Sequence, residues 1–124
     1  GENNKLEGRI ETINGERCTV RLDDGTLIDA QPVNVNKAGE RTRVSIRPER
    51  VESNAERLAA DAHLIDAEVL EFIYMGDTFR VRLRVAGNED FIMKYRNAPD
   101  HSRMTPGQKI RIGWRPEDCR ALDA

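Results

Sequence analysis

The 124-residue sequence is poor in cysteine, poor in aromatics and without a long apolar run, and each shortage excludes something. Its two cysteines, Cys18 and Cys119, lie near opposite ends of the chain with no C-x-x-C spacing. They read as reduced thiols of a cytosolic protein rather than a disulfide. His63 and His101 are distant from each other and from both cysteines, so no zinc or catalytic spacing emerges. One Trp, two Tyr and three Phe allow only a modest core. No segment approaches the roughly 18 apolar residues of a membrane span. The opening Gly1-Glu-Asn-Asn has neither a basic leader nor an apolar stretch, so neither insertion nor export is expected. A start at Gly1 among polar residues reads as a piece of a longer protein. Basic and acidic side chains, 20 against 22, nearly cancel and leave no global field to draw in nucleic acid or anionic lipid. Many carboxylates are present, but no pair stands apart from the solvated background as an acid–base couple.

What the chain does have is a repeat. Gly39, Arg43, Arg47, Pro48 and Glu49 match Gly107, Arg111, Arg115, Pro116 and Glu117 at one constant offset. Upstream, Glu16 to Leu22 aligns with Asp77 to Leu83, and Leu6 to Ile10 with Ile65 to Val69. The offset changes only between periodic segments, as insertions confined to loops would produce.

Inside the repeats the apolar period is two. Cys18, Val20 and Leu22 alternate with Arg17, Thr19 and Arg21; Phe79, Val81, Leu83 and Val85 alternate with Arg80, Arg82 and Arg84; Ile110, Ile112 and Trp114 alternate with Lys109, Arg111 and Gly113. Turn signals separate them at Asn14-Gly15, Asp23-Asp24-Gly25, Gly76-Asp77, Gly87-Asn88 and Pro106-Gly107. The expectation is an all-β, OB-like barrel or sandwich with little helix, built from two related halves with an internal pseudo-twofold. The halves run from about 5 to 53 and about 64 to 122, joined by a linker at about 54–63. The one helix-like stretch, Glu56 to His63, falls at that seam as a turn or two of helix or a tether. Each half is too small to be comfortable alone, so the two should share one core in a single domain.

Both repeats end in Arg-Pro-Glu. Proline gives no N–H to a ladder and holds the preceding residue extended, so the motif should stop a strand after Ile46 and after Trp114. The arginine and glutamate can pair locally, which makes Arg47-Pro48-Glu49 and Arg115-Pro116-Glu117 structural corners first. Alternatively these residues, with Trp114 and the apolar strand edges, face a partner, where a guanidinium grips carboxylates or carbonyls well.

Gly1-Glu-Asn-Asn-Lys-Leu-Glu-Gly8, Ser45-Ile-Arg-Pro-Glu-Arg-Val51 and Val69-Leu-Glu-Phe-Ile-Tyr-Met-Gly-Asp-Thr-Phe-Arg-Val-Arg-Leu83 resemble, in order and spacing, the landmarks of the TOBE domain. That domain is the C-terminal regulatory part of ATP-binding subunits in bacterial ABC importers, and the likeness, nearest the spermidine/putrescine group, extends over nearly the whole chain. The resemblance implies an accessory domain following an ATPase domain and acting in subunit association and regulation. It implies a homodimeric parent that hydrolyses ATP, works with membrane permease subunits and sits at the cytoplasmic face of the inner membrane. No cofactor is expected in this chain, which has no G-x-x-x-x-G-K-[ST] loop; ATP and magnesium would belong to the parent's ATPase domain. The full Arg-Pro-Glu of the second repeat and the loop Asn97 to Met104 depart from the family pattern and leave the transported solute open.

Two rival readings follow from an OB-like barrel. Nucleic-acid binding would use Arg80, Arg82, Arg84, Lys109 and Arg111 as a basic face, but Phe79 and Trp114 alternate away from them and offer no stacking platform, so no nucleic-acid partner is expected. Small-ligand sensing would use Arg43, Ser45 and Arg111 around a cleft; for a polyamine, Glu89, Asp90 and Tyr95 are the least unsuitable trio.

Overall fold

The computed structural model describes residues 2–60, 62–97 and 103–124. Gly1, Asp61 and residues 98–102, with His101 and most of the variable loop among them, lie outside the described residues. The alternating segments fold as strands, with Trp114 the exception: β1 Asn4–Asn14, β2 Arg17–Leu22, β3 Leu27–Pro32 and β4 Arg41–Ile46, then β5 Ile65–Tyr74, β6 Thr78–Val85, β7 Asn88–Arg96, β8 Lys109–Ile112 and β9 Cys119–Asp123. Along β6 the four apolar residues are buried and the intervening arginines face outward. The β1–β2 and β5–β6 hairpins turn at Gly15 (φ 66°) and Gly76 (φ 95°), a left-handed backbone that glycine adopts without strain.

The repeats fold alike. In each, three strands run as a meander and the fourth returns to the first, giving the orders β4-β1-β2-β3 and β8-β5-β6-β7. Even the irregularities match: β1 bulges against β2 between Ile10 and Thr12, and β5 against β6 between Val69 and Glu71. The lobes differ in closure. β9 enters between β4, antiparallel from Ile46↔Cys119 to Thr42↔Asp123, and β3, parallel at Gln31↔Arg120 and Pro32↔Ala121. It closes a five-stranded OB-like barrel around the first lobe, while the second remains an open four-stranded sheet.

Two details differ from the sequence reading. β8 ends at Ile112, and Trp114 lies beyond it; Gly113 makes one isolated bridge to Glu52. And the last strand of the second repeat completes the sheet of the first, so lobes divided by sequence and lobes divided by hydrogen bonding are not the same. At the helix-like stretch, within the expectation of a turn or a tether, the described residues form a 3-10 turn, Ala55–Arg57, where Asn54 accepts from the Glu56 N–H and the chain straightens at Leu58.

One continuous apolar cluster fills both lobes, from Leu6, Val20 and Val44 on one side to Val69, Leu83 and Phe91 on the other. Trp114 stacks on Phe91, with ring centroids 6.2 Å apart, and donates its indole N–H to the Asp29 carbonyl at 3.1 Å. Gly8 allows β1 to lie against β2, since a Cβ there would run into the Arg21 carbonyl oxygen. Asn4, 3% exposed, spans the lobes as a substitute strand: its amide donates to the Ile92 carbonyl and its oxygen accepts the Ile92 N–H, both at 2.7 Å. Asn4→Ala orphans both buried backbone groups, so urea denaturation should show a loss of about 2–3 kcal/mol.

Candidate functional site at the open seam of the second lobe

The two Arg-Pro-Glu motifs build the site. After β4, Arg47 stays extended (φ −73°, ψ 140°) and Pro48 opens a 3-10 turn, Pro48–Arg50; after β8, Arg115 (φ −77°, ψ 141°) and Pro116 open the matching turn, Pro116–Asp118. Proline fits at the first position, where its missing N–H has no helical partner to lose. The turns lean across the molecule: the first packs against β7 of the second lobe, the second against β3 of the first. They also face each other, with Arg50 Nε 4.0 Å from Asp118. Each motif is therefore a crossover that carries the chain into the other lobe, a larger role than the strand stop read from sequence. The local Arg47–Glu49 pair is loose, 3.9 Å between side chains 72% and 55% exposed. Trp114, at 4% exposure, is core and offers nothing to an external surface, whereas Arg47, Glu49, Arg115 and Glu117 are exposed around buried Pro48 and Pro116.

Past the crossovers the symmetry breaks. Cys119 continues into β9. In the second lobe Glu52 exchanges backbone bonds with Gly113 at 2.8 and 2.9 Å, the place Arg120 and Ser45 hold in the first. Gly113 is tight here, since a Cβ would lie 2.8 Å from Leu58 Cδ1. Then the strand aborts: Glu52 Oε2 takes the N–H groups of Ser53 and Asn54, and Asn54 starts the 3-10 turn. A cleft of about 680 Å³ opens where a fifth strand would continue, between Glu49–Glu52 on one wall and Lys94–Arg96 on the other. Burial raises the Tyr95 phenol above its ordinary range. Tyr95 packs on Phe79 at 5.3 Å and Phe79 on Tyr74 at 5.2 Å, so aromatic surface runs from the cleft to the hairpin tip Ile73, Tyr74 and Met75, all exposed.

The other candidate residues are not assembled into sites. Asp90 and Tyr95 are separated along β7 by about 16 Å at strand rise, and Glu89 is engaged by Arg84 at 3.4 Å, so Glu89, Asp90 and Tyr95 form no cage. The supposed basic face is divided by β5, whose carboxylates fall in register between the cations. Glu68 lies between Arg84 at 2.8 Å and Lys109 at 3.0 Å, Asp66 meets Arg111 at 3.4 Å, Glu71 meets Arg82 at 3.7 Å, and Glu2 reaches Arg80 at 2.6 Å. Hydrogen bonds from Lys109 to Glu68, and from Arg80 to Glu2, hold both carboxyls below their usual range. Burial pushes the Cys18 thiol up to about 11 and Cys119 well above its ordinary value, which leaves two inert thiols. Sequence reasoning missed the seam, although a signal existed: after the second motif the chain alternates through Cys119 and Ala121, and after the first it reaches Ser53-Asn54.

A TOBE domain model matches residues 44–122. Over 124 residues the chain is 27% identical to the spermidine/putrescine import ATP-binding protein PotA of Rubrobacter xylanophilus, an alignment covering 98% of this chain and 32% of that protein. It is 24% identical to the PotA of Ruegeria pomeroyi and 25% to that of Thermobifida fusca, with the same coverage. The chain thus spans about a third of the length of these curated relatives. Among solved structures it is similar in fold to the cytoplasmic molybdate-binding protein ModG, crystallised with molybdate bound, at 12% identity and a TM-score of 0.79, covering 98% of this chain and 96% of that one. If Trp114 is core and Arg115 is surface, Trp114→Ala should cost about 3–5 kcal/mol in chemical denaturation, while Arg115→Ala stays within about 0.5 kcal/mol of the parent.

Proposed function

The chain belongs to the TOBE domain family, and on that premise we propose that it is the accessory domain of the ATP-binding subunit of an ABC importer. The carrying observation is a contrast. Its alignment with import ATP-binding proteins runs over nearly all of this chain, yet the chain has no phosphate-cradling loop of its own. Binding and hydrolysis of ATP with magnesium then fall to an ATPase domain of the same subunit, and these residues serve subunit association and regulation. The partners on this reading are that ATPase domain, a second copy of the subunit and the membrane permease subunits, placing the domain at the cytoplasmic face of the inner membrane. Among the described residues no helix is long and apolar enough to cross a membrane. The names of the relatives support spermidine or putrescine as the imported solute.

Small-ligand sensing is the second reading, favoured by the cleft at the seam. Basic side chains on its walls (Arg50, Arg57, Lys94, Arg96 and Arg115) outnumber the carboxylates (Glu49, Glu52 and Asp118), so the cleft suits an anionic occupant better than a polyamine. Deleting this domain from the full-length subunit should leave ATP hydrolysis by the remaining domain measurable, while ATP-dependent self-association weakens and uptake of labelled spermidine falls about tenfold or more. Self-association and uptake equal to those of the intact subunit would contradict the proposal.

A further inference from the structure

The two lobes share a hairpin but not its surface. At the tip in the second lobe Ile73 pairs with Arg80 and Tyr74 with Phe79, and the Met75 N–H closes the ladder on the Thr78 carbonyl at 2.8 Å. The same ladder in the first lobe pairs Thr12 with Thr19, Ile13 with Cys18 and Asn14 with Arg17. Strand alternation puts Ile73 and Met75 on one face of their hairpin, where the first lobe carries the exposed polar residues Thr12 and Asn14. Among the described residues the large apolar side chains left exposed are Ile73, Tyr74 and Met75. The shared fold does not require the apolar version, since its first copy does without it, and a contiguous exposed apolar patch marks a surface that meets something else.

The beginning of the chain identifies what it meets. Ile73, Arg80 and Lys94 form one row across β5, β6 and β7, because Ile73 pairs with Arg80 and Arg80 with Lys94. Glu2 is fastened over that row: its carboxylate accepts from Arg80 Nη2 at 2.6 Å and lies 3.2 Å from Lys94 Nζ. Followed backward from Asn4, which is anchored to Ile92 on β7, the chain reaches Lys94 and Arg80 at Glu2, with Ile73 next in the row. The chain spans 32% of the Rubrobacter relative, and on the importer reading an ATPase domain precedes residue 1. We infer that this ATPase domain, within the same subunit, docks on the face of the β5–β6 hairpin that carries Ile73 and Met75, with Glu2 fixing the connection beside it. The tether holds whatever precedes it close to these side chains and so raises its effective concentration there. The inference rests on the importer reading and adds to it the surface through which the two domains meet.

The test compares Met75 in the nucleotide-free full-length subunit with Met75 in the 124-residue chain by hydroxyl-radical footprinting. Oxidation should be about fivefold slower in the subunit, because a thioether reacts as far as it is exposed. Ile73→Asn, a change at a site exposed in the chain, should leave the chain melting within about 3 °C of the parent and return Met75 oxidation in the subunit to nearly the rate of the chain alone. Equal rates in parent subunit and chain overturn the inference, as does protection that survives Ile73→Asn. Protection that appears only when ATP drives self-association also overturns it, identifying a second copy as the occupant. The domain deletion reads self-association and uptake, so failure here leaves that result untouched, and failure there leaves the Met75 comparison as it stands.

Discussion

The structure depends on the closure of each lobe by chain that has just left the other one. A four-stranded sheet of the order 4-1-2-3 has two bare edges and cannot cover its apolar face alone. In the first lobe β9, delivered from the second by the Pro116–Asp118 turn, covers both edges at once. In the second lobe the return delivery is brief, a single bridge between Glu52 and Gly113. Arg-Pro-Glu is written twice because the chain must change lobes twice. The proline serves the change by ending one ladder and opening the turn that points to the next.

Placement of everything functional follows from that unequal exchange. The outer face of the second sheet offers little to a charged ligand, because carboxylates on β5 interleave with cations on β6 and β8 and neutralise the row locally. The core is continuous and occupied, with Trp114 and Phe91 stacked at the junction of the lobes. What remains is the place where Glu52 and Asn54 divert the chain from the path β9 follows. A cleft, a net excess of basic side chains and an exposed aromatic tip coincide there. In an accessory domain, such a seam is a natural point for a partner to act without disturbing the closed barrel beside it.

Much of the fold was legible in the sequence because its information is local. Period-two alternation at Phe79, Val81, Leu83 and Val85 names a strand and its buried face, Gly15 and Gly76 name hairpins, and the matched offsets name a duplication. The site was less legible because pairing partners are not local. Nothing in the sequence near Arg80 or Lys109 says that β5 comes between them carrying Glu68. Trp114 reads as an anchor for a partner because it stands next to the Arg115-Pro116-Glu117 corner. Its burial depends on Phe91 and Asp29, each far away in the chain. Glu89, Asp90 and Tyr95 are close in number, yet a strand separates them by its rise. The seam itself is a difference between two similar segments, visible only once the partner of each is known.

Reciprocal closure around one core has a direct thermodynamic signature, since neither lobe can unfold without removing a strand or a wall from the other. Scanning calorimetry of the chain measures it. The account predicts a single transition whose calorimetric and van't Hoff enthalpies agree. Two resolved transitions, one for each lobe, would contradict it.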